Sequence, residues 1–143
     1  MANGPDHAAC VDAWLRRSSD RSPELRLQLF EAALGAIWDC TKTTLGEVTL
    51  GAIVDRVIHN TGERFPVFSL LKVAPEGGIQ CAELRERACL LDGPEIEEGI
   101  RFVLVEFLTV LGNLTAEILT PELHAALLQV GGGERKSRKD GKS

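Results

Sequence analysis

Residues 95–119 read EIEEGIRFVLVEFLTVLGNLTAEIL, and the fold turns on how this stretch is read. Ile96, Ile100, Val103, Leu104, Phe107, Leu108, Leu111, Leu114 and Ile118 recur at steps of three and four, the period of one helix face. Phe102, Val105 and Val110 fill much of the other face. A helix that is apolar nearly all round must be covered on several sides, so the spacing predicts one continuous rod from 96 to 118, either the centre of a bundle or the seam between two copies. Arg101 and Glu106 interrupt the apolar run, and no stretch approaches the ~20 apolar residues of a spanning helix, so a membrane span is not expected.

The flanking sequence repeats one pattern of helix punctuation. Asp92-Gly93-Pro94-Glu95 opens the long helix, Ser22-Pro23-Glu24-Leu25 opens an earlier one, and Thr120-Pro121-Glu122-Leu123 opens the last. Each places a side-chain acceptor before a proline that tolerates the first helical turn and an acid at the positive end of the helix dipole. Upstream, Cys10, Val11, Trp14 and Leu15 form the apolar side of a short helix opened by Asp6. Leu29, Phe30, Ala33, Leu34, Ile37 and Trp38 carry a second, which loses its drive near Gly46. Leu50, Ile53, Val54, Val57, Ile58 and Thr61 carry a third, with Thr49 as its expected cap.

Between the third helix and the long one the composition changes. Val67-Phe68-Ser69-Leu70-Leu71-Lys72-Val73 is β-branched and aromatic, and Pro75-Glu76-Gly77-Gly78 is turn chemistry, so a small β-hairpin is expected over 66–80. A short helix follows from Cys81, with Leu84 and Leu91 inward. The expected architecture is mainly α with minor β: a bundle of about five helices over residues 1–130, a hairpin inserted before the long helix, and a tail at 131–143. The flanks of the repeated tetrapeptides match at no fixed period, which speaks against a solenoid.

Charge and cysteine usage narrow the function by exclusion. The net charge is −5, and residues 134–143 hold five basic against two acidic side chains, so the tail carries +3 and the body −8. An acidic body repels phosphate backbones, and contact with nucleic acid is expected only through the tail residues Arg135, Lys136, Arg138 and Lys139, which otherwise read as a solvated, disordered terminus. Four cysteines in 143 residues, with no Cys-x-x-Cys pair and no zinc spacing to His7, His59 or His124, read as structural thiols of a reducing compartment. His7 and Cys10 share a helix face, but two ligands make a poor metal site. Residues 1–10 lack the charged-then-apolar order of a secretory signal, so a cytoplasmic location is expected. Phosphate-loop, dinucleotide, serine-hydrolase and zinc-protease motifs are absent, and neither metal nor cofactor is expected. With no Tyr and seven aromatic residues, the stacking platform of a single-strand binder is missing as well.

Two constellations remain as sites. Asp55, His59 and Glu63 fall at i, i+4 and i+8 on the polar face of the third helix, an arrangement that a phosphoacceptor histidine in a relay requires. Glu106 stands among apolar residues and needs a partner, water or an Arg such as Arg101 or Arg85; it is the candidate acid or base of a ligand pocket inside the bundle. Both are alternatives to the main expectation, a non-enzymatic cytoplasmic protein-interaction or regulatory module, such as a signalling protein. Its self-association as a homodimer would run through Phe102, Val105 and Val110 on the long helix and Phe68 and Leu70 on the hairpin.

Overall fold

A computed structural model describes residues 7–17, 23–73, 79–88 and 93–130. Within them the chain is mainly helical with a small β component, as the periodicities require. The described residues form six α-helices: α1 (His7–Arg17), α2 (Pro23–Leu45), α3 (Glu47–Arg64), α4 (Ala82–Ala88), α5 (Gly93–Leu114) and α6 (Thr120–Gln129). Asp6, Ser22, Asp92, Cys89, Leu91, the turn at 75–78 and the tail at 131–143 lie outside the described residues.

The long helix α5 packs on α1, α2, α3 and α6, which is why its sequence is apolar on more than one side. Ile96, Ile100, Val103, Leu104, Phe107, Leu108 and Leu111 are all buried on it. Each such side chain contributes about 1.5–3 kcal/mol on leaving water. Phe102, Val105 and Val110 on the second face are half-buried rather than fully covered. The rod is shorter than its periodicity predicts. It stops at Leu114, and Leu114 and Ile118 are 57% and 75% exposed rather than inward.

The stop is a Schellman turn. Glu117 N–H bonds Gly112 C=O at 2.6 Å and Ala116 N–H bonds Asn113 C=O at 3.3 Å, closing the helix end on itself. Ala116 and Glu117 adopt φ of 54° and 63°, a left-handed conformation that costs a residue with a Cβ roughly 1–2 kcal/mol. Apolar spacing is blind to this turn, because Ile118 continues the period after the helix has ended.

The hairpin is also smaller than expected. Val67 and Phe68 belong to a 3₁₀ turn, Pro66–Leu70, and the antiparallel pair is β1 (Lys72–Val73) with β2 (Ile79–Gln80), Lys72 facing Gln80 and Val73 facing Ile79. The β-branched, aromatic composition was outweighed by burial. Phe68 is fully buried, with its ring edge-on to Phe30 at 6.0 Å and Phe65 at 6.3 Å between centroids, so it is core rather than interaction surface. Gly99 on α5 makes room for it, since a Cβ there would lie 2.1 Å from Phe68 Cε1. The α2–α3 joint is likewise tighter than expected: Gly46 at φ 87° links the helices directly, and Thr49 lies inside α3 instead of capping it.

Helix α1 lies on α5 and α6. Val11, Trp14 and Leu15 supply the apolar contact, Trp14 Nε1–H donates to Val130 C=O at 3.1 Å, and Arg101 Nε–H donates to Asp12 Oδ1 at 2.7 Å. The Arg101 hydrogen bond holds the Asp12 carboxyl below its ordinary range; slight burial opposes this, and the charges of Arg101 and Arg16 add to it. A depressed carboxylate stabilises the fold above its unfolded value and loses that contribution as pH falls through the folded value. Arg101→Gln is therefore expected to flatten the stability loss below about pH 4. For so exposed a pair the loss removed is about 0.5 kcal/mol, read as urea midpoints across the acid range.

Candidate functional site

His59 is exposed on α3, where its Nε2 lies 3.2 Å from Glu63 Oε2, one turn onward. Helix α3 persists to Arg64, so Glu63 is held in register, and it is this acid rather than Asp55 that meets the imidazole. Asp55 is exposed on the same helix. With the two partners 70% and 68% exposed, the pair is a solvated i,i+4 contact worth a few tenths of a kcal/mol.

Glu106 is half-buried and accepts a hydrogen bond from Asn60 Nδ2 at 3.2 Å, which joins α5 to α3. Neither arginine expected beside it is there. Arg101 is paired with Asp12, and Arg85 on α4 is paired with Glu31 on α2. A small apolar cleft with about 10 Å³ of free volume lies between α2, α3, α5 and the hairpin, lined by residues such as Leu34, Val54, Val57, Leu71, Val103 and Phe107. Glu106 is not part of that lining, and the cleft offers no polar group to orient a ligand.

The interaction residues are distributed unevenly. Phe102 is partly covered by its own chain, with Arg64 Cζ 5.2 Å above its ring and Phe65 at 6.1 Å. Val105, Val110 and Leu70 are half-buried against the core. The large apolar side chains left exposed among the described residues are Val48, Leu114 and Ile118. Phe65 meets Phe102 and Asn60 meets Glu106, so α3 and α5 run antiparallel; the start of α3, with Val48, therefore lies toward the end where α5 stops.

Among the described residues, Cys10, Cys40 and Cys81 form no disulfide. Burial pushes the Cys81 thiol up to about 12, the Glu31 charge pushes the same way and Arg85 opposes it, so no thiolate forms near neutral pH.

One cluster was not visible in the sequence. His7 at the start of α1, Glu117 in the α5–α6 turn and His124 on α6 meet in space. His7 Nδ1 and His124 Nε2 are 2.9 Å apart, His7 Nε2 is 3.5 Å from Glu117 Oε1, and Thr120 Oγ1–H donates to the same carboxylate oxygen at 2.5 Å. Thr120, expected to cap α6, thus spends its hydroxyl on Glu117, and α6 has no side-chain cap. Among the described residues no group of three or more His, Cys, Asp or Glu has the disposition to hold a metal ion, and this cluster is no exception. No helix of the described residues is long and apolar enough to cross a membrane. Compared with protein families, curated proteins and solved structures, the chain matches none.

Proposed function

We propose that the chain is a non-enzymatic, cytoplasmic protein-interaction module with a regulatory role, and that it pairs with a second copy of itself. One observation carries this reading: the apolar run of residues 95–119 outlasts its own helix, leaving Leu114 and Ile118 at 57% and 75% exposure at the end of the bundle toward which Val48 also lies. The half-buried Val110 extends the same surface along α5. Covering such side chains in a symmetric contact stabilises a dimer through the area removed from water. Sedimentation at about 50 µM is expected to find a dimer, and Leu114→Glu with Ile118→Glu is expected to weaken it roughly tenfold or more, which is about 1.4 kcal/mol or more. Both positions are exposed in the single chain, so the fold itself should change by less than about 0.5 kcal/mol each. A monomer at that concentration overturns self-pairing, and a dimer indifferent to both substitutions overturns this surface.

A further inference from the structure

His7 is 9% exposed, and its Nε2 has no hydrogen-bond partner among the described residues, although Glu117 Oε1 stands 3.5 Å away. Two backbone features serve to bring that carboxylate there. Ala116 and Glu117 both hold positive φ, and Gly112 leaves a gap in which a Cβ would lie 2.6 Å from Glu117 Oε1 and 3.0 Å from His7 Nε2. Strain concentrated at a buried titratable group is characteristic of positions that act rather than merely pack. The contact also spans 117 residues and ties α1 to α6.

The hydrogen-bond inventory of imidazole decides what the contact can tolerate. With both rings neutral, His124 Nε2–H donates to His7 Nδ1, and His7 Nε2–H faces Glu117. A first proton on the pair keeps the contact, because imidazolium His7 donates to His124 on one side and faces Glu117 on the other. A second proton places N–H against N–H at 2.9 Å, with two positive rings 5.0 Å apart by their centroids. Among the described residues, the titratable groups in contact with His7 are Glu117 from the α5–α6 turn and His124 from α6. Farther along α1, Asp12 is engaged by Arg101 of α5 with Arg16 nearby, and Glu122 of α6 lies toward Cys40 of α2.

We propose that His7, His124 and Glu117 form a proton-gated latch: α1 is held on α5 and α6 while the histidine pair carries at most one proton, and is released when both rings are protonated. Release uncovers the surface that Val11, Trp14 and Leu15 occupy. The proposal stands whether or not the chain dimerises, since all three residues belong to one copy.

Amide hydrogen exchange, corrected for the intrinsic pH dependence, tests it on the full chain between about pH 7.5 and about pH 5. Protection of Val11, Trp14 and Leu15 is expected to fall roughly tenfold or more toward the acid end, while Leu104 and Leu108 of α5 keep theirs. His124→Gln retains a donor for His7 Nδ1 but takes up no proton, and is expected to abolish the dependence. Glu117→Gln removes the compensating charge and is expected to move release to higher pH, which keeps the test open should His124→Gln fail to fold. His59→Gln, at an exposed and unrelated histidine, should leave the profile unchanged. Flat protection of α1, the same acid loss in His124→Gln, or equal loss throughout α5 would each overturn the latch.

Discussion

Phe68→Ala is expected to destabilise the fold by about 3–5 kcal/mol, the range for deleting a fully buried aromatic ring. The side chain has no exposed surface, stands edge-on to Phe30 and Phe65, and sits over Gly99 of α5, so no neighbouring group is placed to flow into the void. A loss of this size is a large share of the 5–15 kcal/mol typical of a domain. Urea unfolding should show the midpoint falling with an unchanged slope, the signature of lost stability rather than altered compactness. A residue of an exposed hairpin would behave otherwise, changing stability by less than about 0.5 kcal/mol. The measurement therefore separates a core role from the surface role that the β-rich composition of residues 67–73 suggests.

Gly99→Ala carries the second large effect, and its sign depends on the same ring. A methyl group at 99 would meet Phe68 Cε1 at 2.1 Å, Cζ at 2.5 Å and Cδ1 at 2.8 Å, and the ring cannot retreat because it is enclosed. Overpacking of this kind costs roughly 1–3 kcal/mol, set against a gain of about 1 kcal/mol for replacing glycine inside a helix. At contacts this short the clash outweighs propensity, so a net loss of about 2 kcal/mol is expected. In the Phe68→Ala background the obstacle is gone, and alanine at 99 should become favourable by about 1 kcal/mol. This reversal gives a coupling of about 3 kcal/mol between the two sites. Additive effects in the double-mutant cycle would show that the ring and the glycine do not meet.

The candidate sites were legible to different degrees, for a physical reason. His59 and Glu63 are four residues apart on one helix, and helical periodicity places such a pair on one face without help from the rest of the fold. The need of Glu106 for a partner was readable from its apolar neighbours, but the identity of that partner was not. Asn60 is 46 residues away and reaches Glu106 only because α3 and α5 pack antiparallel. The His7, Glu117 and His124 cluster left no local trace, since its members are separated by more than 100 residues on one side and belong to a turn and a helix on the other. The one hint was negative: Gly112 and Asn113, poor helix formers, interrupt an otherwise strong run shortly before Glu117.

Helix positions, the inward stripe of α5 and the mainly α class follow from the sequence alone. They depend on the spacing of apolar side chains along a rod of 3.6 residues per turn, and that spacing is a property of neighbours in the chain. Where α5 ends, which way Phe68 turns and what faces His7 were decided by the tertiary structure. Two of these depend on groups distant in sequence competing for one volume, a ring that displaced a strand and a carboxylate that reached a buried imidazole, while the helix end depends on a local Schellman turn that overrode a continuing period.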